Sequence, residues 1–167
     1  TSYPALLKKA GYRTGFIGKV GVGIRQSERN QMFDLFHPIG RGPYFKKQKD
    51  GSLRHETELC GDKAIEFLKS NPKGKSFCLS VSFNASHAED RDKRPGIGHF
   101  PWPKAVDGMY EDVKIGAPRL SDPKVFAAHP KFMKESMNRD RWFWRWDTPE
   151  KYRINLRAYY RMISGFD

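Results

Sequence analysis

Cysteine is nearly missing from this 167-residue chain: Cys60 and Cys78 are the only two, too few for a disulfide framework. Cys60 falls in a helical pattern and Cys78 in a strand-like one, where small thiols are ordinary core residues, and both are read as core. No apolar run approaches membrane-spanning length, and no leader pattern stands at the N-terminus. Because the chain opens on Thr1 instead of methionine, that gap says nothing about compartment. Low-complexity segments and internal repeats are absent too. His37, His55, His99 and His129 lack ligand-like spacing, so no metal box is read among them. Acidic residues are also in short supply. Nineteen Asp and Glu against 31 Lys and Arg leave a net charge of +12, which favours polyanionic partners: nucleic acid, an anionic membrane surface or sulfated glycans. Charge does not choose among them.

What is present argues for a folded chain. Apolar residues make up 38% and aromatics 14%, more than a disordered basic tail carries, and the length suits one domain. Ser2 and Pro4 open a short helix with Ala5, Leu6, Leu7 and Ala10 as its apolar face, and Gly11 ends it. Tyr12 to Ile17 reads as a strand. A second helix covers Thr57 to Leu68, where Cys60, Ala64, Phe67 and Leu68 share one face. The clearest strand is "SFCLSVSF": Phe77, Leu79, Val81 and Phe83 alternate with Cys78, Ser80 and Ser82, a face small enough to lie under a helix. Helix, strand, helix, strand predicts an α/β layer with parallel strands. From Asp90 to Asp147 the texture changes to six prolines and the cluster "RDRWFWRW", read as a long, partly ordered excursion. A helix follows from about Thr148 to Ser164, which Pro149 can start.

Ligands in parallel α/β sheets collect at the carboxyl ends of the strands. Two features fall there. "GYRTGFIGKVGVG" (11–23) holds five of the fifteen glycines and one lysine, Lys19. A Walker loop needs its lysine followed by Ser or Thr, and a dinucleotide loop needs a third glycine and a helix; this stretch offers neither. What remains is an ammonium that an anion can reach, or a solvated loop lysine. The second feature, "NASHAED", puts His87 just past a strand, as a general acid, an anion donor or a merely structural ring. Glu89, Asp90 and Asp92 read as a cation site or as a solvated acidic loop.

Taken in order, "YPALLKKAGYRTGFIGK", "LRHETELCGDKAIEFL", "FCLSVSFNASHAED", "FPWPKAVDGMYEDVKIGAP" and "YYRMISGFD" resemble the sulfatase family over nearly the whole chain. The resemblance implies an alkaline-phosphatase-like α/β/α sandwich with a mostly parallel sheet, here partial. It implies that Lys19 supplies charge to the sulfuryl oxygens and that His87 contacts the sulfate ester and helps the leaving oxygen depart. On that reading both project toward one opening. The implied substrate is a sulfated carbohydrate, with no nucleic-acid partner and a secreted or periplasmic parent enzyme.

Two positions depart from the family pattern: Gly21 stands where a histidine is usual, and Glu89 where proline is. The Cys/Ser-x-Pro-x-Arg element that yields formylglycine is not found, since Cys60 precedes "GDKA" and Cys78 precedes "LSVS". Nor are the acidic residues that hold the family's calcium. The chain therefore reads as the central part of one catalytic domain, residues 1–167, cut at both ends. Such a piece is expected to be inactive alone, to hold no metal, and to have uncovered sheet edges through which it could associate. The competing reading is a non-enzymatic basic module, with "FKKQKDGSLRH" and "RDRWFWRW" as polyanion-binding surfaces.

Overall fold

In the computed structural model, which describes residues 2–92, 94 and 98–167, the chain forms two compact units. The first runs to Ala85 and takes in Phe166; the second runs from Ser86 to Gly165 and takes in Asp167.

The first unit is built on three strands. In chain order it contains α1 (Tyr3–Lys9), β1 (Arg13–Gly18), α2 (Gln26–Met32) and β2 (Leu35–Pro38). A two-stranded hairpin of β3 (Phe45–Lys47) and β4 (Leu53–His55) then leads into α3 (Glu56–Lys69) and β5 (Phe77–Ser82). The sheet order is β2-β1-β5, every pairing parallel, with Gly15 opposite both Leu35 and Leu79. The expected parallel pairing of the two sequence-predicted strands is therefore observed.

Alternation along the strands sorts side chains onto two faces. On one, Ile17 and Leu79 meet α3. A Cβ on Gly15 would lie 2.8 Å from Phe67 of α3 and 2.8 Å from Leu79, so this glycine lets helix and sheet pack closely. The Arg13 guanidinium stacks 4.0 Å above the Phe67 ring while its Nη1 donates to the Phe67 carbonyl at 2.6 Å. Phe67 and Ile17 are fully buried here, and truncating such an aromatic to alanine typically costs about 3–5 kcal/mol. On the other face Phe16 packs with Phe33 and Phe36, ring centroids 5.7 and 5.5 Å away, and the small Ser80 bonds Tyr3 Oη of α1 at 3.0 Å. With helices on both faces, the unit is an α/β/α sandwich.

The helix faces differ in detail from the sequence pattern. Cys60 and Phe67 are buried, but Leu68 and, on α1, Leu6 point outward. One residue along a helix turns the side chain by about 100°, so with Phe67 aimed at the sheet Leu68 cannot be. Ser2 stands before α1 without a side-chain capping bond, and Pro4 is the buried residue of that helix. Strand β2 and the hairpin are short and had no clear alternating pattern to announce them.

The second unit is helical. The stretch read as an excursion contains a 3-10 turn at Lys104–Val106, α4 (Pro123–Ala127), α5 (Lys131–Lys134) and α6 (Met137–Arg145). Its prolines start helices as well as interrupt chain: Pro123 follows the capping Asp122, whose Oδ1 accepts from Lys124 N at 2.9 Å. The last helix, α7 (Pro149–Ser164), begins as expected, with Thr148 Oγ1 accepting from Lys151 N at 3.2 Å. Phe100, Val106, Ala158 and Met162 form the buried centre. Among the described residues no helix is long and apolar enough to cross a membrane.

Gly18 and Gly21 give opposite expectations. Gly18 has φ +101°, and a Cβ there would sit 2.1 Å from the Ser82 carbonyl oxygen, whereas Gly21 has nothing within 4 Å. Gly18→Ala is expected to destabilise the protein by about 3 kcal/mol or more, and Gly21→Ala by no more than about 0.5 kcal/mol. Urea midpoints of the two variants check this; equal midpoints would contradict it.

Candidate functional site

Lys19 follows the last residue of β1, at the carboxyl end of the parallel sheet. Two main-chain bonds tie the strand ends together there. Ile39 N donates to Gly18 O at 2.9 Å, and Lys19 N donates to Ser82 O at 2.6 Å. Gly18 carries no side chain to push the neighbouring strand away, so β5 closes directly onto the Gly-Lys step. The Lys19 side chain is exposed. Gly21 and Gly23 have open space around them, so the loop beyond Lys19 is unobstructed on their account. Of the glycines in this stretch, Gly15 and Gly18 are required by close approach.

Just past β5 lies a buried polar knot that spacing along the sequence does not reveal. Glu56, the first residue of α3, is fully buried. Its Oε1 accepts from the main-chain N–H groups of Asn84 and Ala85 at 3.0 and 3.3 Å, and its Oε2 from Asn84 Nδ2 at 2.6 Å. Asn84 Nδ2 also donates to Ile39 O at 3.1 Å, and Tyr44 Oη donates to Asn84 O at 3.1 Å. The knot thus holds the segments after β2 and β5 together. Burial pushes the Glu56 carboxyl above its usual range, although the Asn84 and Ala85 hydrogen bonds and the Lys46 charge pull the other way. Burial, with the Glu56 charge beside it, also pushes the Cys60 thiol up to about 12. Cys60 is therefore a protonated core residue at neutral pH, as its pattern implied. His55 is structural as well: its Nδ1 accepts from Thr57 N at 3.3 Å and its ring stacks on Tyr44 at 5.3 Å.

In the second unit His87 is exposed, with Nδ1 bonded to Ala88 O at 2.7 Å. Of the acidic residues after it, Asp90 and Asp92 form ion pairs, whereas Glu89 Oε1 accepts from Arg91 N at 3.3 Å. Asp90 Oδ1 accepts from Arg145 Nη2 at 2.6 Å, and Oδ2 from Arg141 Nη2 at 3.3 Å. Burial alone would raise the Asp90 carboxyl; the hydrogen bond and charge of Arg145, with the charges of Arg141 and His87, outweigh it and hold the group below its usual range. Arg94 does the same for Asp92, holding it at about 2, chiefly through its hydrogen bond. Asp90 and Asp92 do not fit a cation, because their oxygens already face arginine. No group of three or more His, Cys, Asp or Glu side chains gathers in a metal-binding arrangement among the described residues.

The cluster "RDRWFWRW" belongs to α6 and the residue after it, and much of it is used within its own unit. Arg139 stacks on Phe126, Trp142 and Phe143 at 3.8, 4.0 and 4.5 Å, and Arg145 is buried against Asp90. In the hairpin, Lys46 bonds Gly40 O at 2.6 Å and Arg54 pairs with Glu58 and Asp62. Lys46, Arg54, Arg139 and Arg145, which in sequence belong to the candidate polyanion surfaces, are thus committed to internal contacts. Arg141 and Arg145, missed as partners of Asp90, carry a visible signal only in hindsight: basic residues four apart on one helix face.

Comparison with known proteins agrees with this architecture. The family model described as Sulfatase matches residues 1–164. N-acetylglucosamine-6-O-sulfatase of Bacteroides thetaiotaomicron is 29% identical over 124 residues, which is 66% of this chain and 22% of that protein. A solved structure of BT4656 in complex with its substrate D-glucosamine-2-N,6-O-disulfate aligns over 99% of this chain and 44% of its own, at 21% identity and TM-score 0.51. That likeness concerns the fold. The chain thus spans under half the length of either relative.

The Asp90 pairing carries a sign for pH. A carboxyl lowered in the folded state contributes stability that is fully present above its unfolded value, about pH 4, and is lost as pH falls through the folded one. Asp90→Asn should flatten the loss of stability below pH 4 relative to the parent, read as urea midpoints between pH 6 and pH 2.5. Parallel curves would show that Asp90 is not held this way.

Proposed function

Because the chain belongs to the sulfatase family, we propose that it forms the central part of a sulfatase catalytic domain, whose enzyme hydrolyses sulfate esters of carbohydrates. The observation that carries the reading is the placement of Lys19: an exposed ammonium on the strand-end rim of a parallel sheet, its main chain fixed by Ser82 O and by the missing side chain of Gly18. A cation there meets the sulfuryl oxygens where negative charge grows during transfer. His87 is the second group. As an imidazolium it gives its Nε2 proton to the departing sugar oxygen, which leaves as an alcohol while water supplies the oxygen that completes the sulfate.

Formylglycine and calcium come from the family resemblance alone. The cysteines present do not fit the first, since Cys60 is buried and protonated and neither cysteine has the x-Pro-x-Arg context. The carboxylates present do not fit the second. No step is therefore drawn through either. The internal use of Arg139 and Arg145 supports this reading over a basic binding module. The sulfated sugars named for the two relatives support a sulfated carbohydrate as substrate.

Steady-state assays on the full-length protein test the assignment. Lys19→Ala should lower turnover of sulfate esters by ~10²–10³-fold. His87→Ala should harm sugar sulfates, whose leaving alcohol needs a proton, more than activated aryl sulfates. Equal losses would reduce His87 to a binding contact, and absence of any sulfate-ester turnover by the full-length protein would overturn the reading. Residues 1–167 alone should show no turnover with or without calcium.

A further inference from the structure

Glu56, Cys60 and Phe67 lie along the buried face of α3, one and two turns apart. The sheet fixes which end is which. The Phe67 ring lies under Arg13, the first residue of β1, whereas a Cβ on Gly18, the last, would be 3.4 Å from Cys60 Sγ. The helix therefore runs back along β1, and Glu56, one turn before Cys60, sits at the carboxyl end of the strands beside the Gly18–Lys19 step.

What the carboxylate does there is set by its partners. Asn84 N, Ala85 N and Asn84 Nδ2 all donate to it, so the site fits the ionised, acceptor-only form. Asn84 Nδ2 lies between two acceptors, Glu56 Oε2 at 2.6 Å and Ile39 O at 3.1 Å. An amide oxygen in that place would face oxygen on both sides, so the orientation of the Asn84 side chain is forced.

These bonds close a circuit around one peptide. Gly18 O and Lys19 N–H belong to the same planar unit and point to opposite sides. Ile39 N donates to the first at 2.9 Å, and the second donates to Ser82 O at 2.6 Å. The two holders are themselves tied together: Ile39 O accepts from Asn84, two residues after Ser82, and Glu56 grips Asn84 by both its side chain and its main chain. Glu56 and Asn84 are 0% and 5% exposed, so water does not compete for these bonds. Lysine reaches a ligand over a flexible stem, and its accuracy depends on where that stem is rooted.

We propose that Glu56 is a positioning residue for Lys19, clamping together the Ile39 and Ser82–Asn84 segments that hold the two ends of the Gly18–Lys19 peptide and so fixing the base from which the ammonium reaches its anion. The ammonium's part in turnover rests on the sulfate-ester reading; the clamp rests on the hydrogen bonds alone.

The test is a double-mutant cycle with Lys19→Ala in full-length protein, read on an activated aryl sulfate. Glu56→Gln keeps one acceptor oxygen for the main-chain N–H groups but presents an NH2 group to the Asn84 amide, so that bond is lost. By itself it should lower kcat about tenfold with KM little changed. In the Lys19→Ala background it should change kcat by less than about twofold. A loss of equal size in both backgrounds would place the effect elsewhere and overturn the proposal, as would unchanged turnover with Lys19 present. Hydrogen exchange reads the clamp without turnover. In Glu56→Gln the Lys19 and Ile39 amides should exchange faster relative to those in the middle of α3, and unchanged relative rates would overturn the clamp. Asn84→Ala removes the side-chain link from Glu56 to Ile39 O and leaves the two main-chain bonds; it should act in the same direction more weakly, which serves if Glu56→Gln fails to fold. If the exchange result holds and the parent protein turns over no sulfate ester, the clamp stands and the sulfatase reading falls.

Discussion

Gly18 is the point on which the first unit depends. With a Cβ only 2.1 Å from Ser82 O, any other residue would force β1 and β5 apart where Lys19 begins. Because the side chain is missing, the Lys19 N–H reaches Ser82 O, and Ile39 N reaches Gly18 O on the other edge. Three strand ends are thereby joined at the rim that offers Lys19 to solvent. The glycine density of the stretch has two causes: close packing at Gly15 and Gly18, and open loop at Gly21 and Gly23.

Each unit contains a buried polar network. In the first, the Glu56 carboxylate binds the Asn84 amide and the two main-chain N–H groups after β5, stabilising a turn that would otherwise leave buried donors unpaired. In the second, Asp90 lies between Arg141 and Arg145, and Asn155 links α6 and α7 to the His99 backbone. Removing one member of such a network costs more than its own bond, because its partners stay buried without replacement.

The elements legible in the sequence were those whose periodicity is long or clean. Phe77 to Phe83 alternate strictly, Cys60 and Phe67 mark one face of α3, and Pro149 opens α7; each stands where the pattern put it. Strand β2 was hidden because four residues cannot display a period, and α6 because its tryptophans and arginines suggested a surface. Lys19 and His87 could be named from motif resemblance, and both side chains are exposed. What they rest on could not be named. Glu56, Arg145 and Asn155 act through partners 28, 55 and 56 residues away, and separation of that kind leaves no local trace.

The central claim is the proposal that Lys19, on the strand-end rim of the first unit's sheet, meets the sulfuryl group of a sulfate ester. A crystal structure of the full-length protein with a sulfamate analogue of a sulfated monosaccharide, which resists hydrolysis, tests it directly. Lys19 Nζ should lie within hydrogen-bond reach, about 3 Å, of a sulfuryl oxygen. A bound analogue whose sulfuryl group does not touch Lys19 would contradict the account.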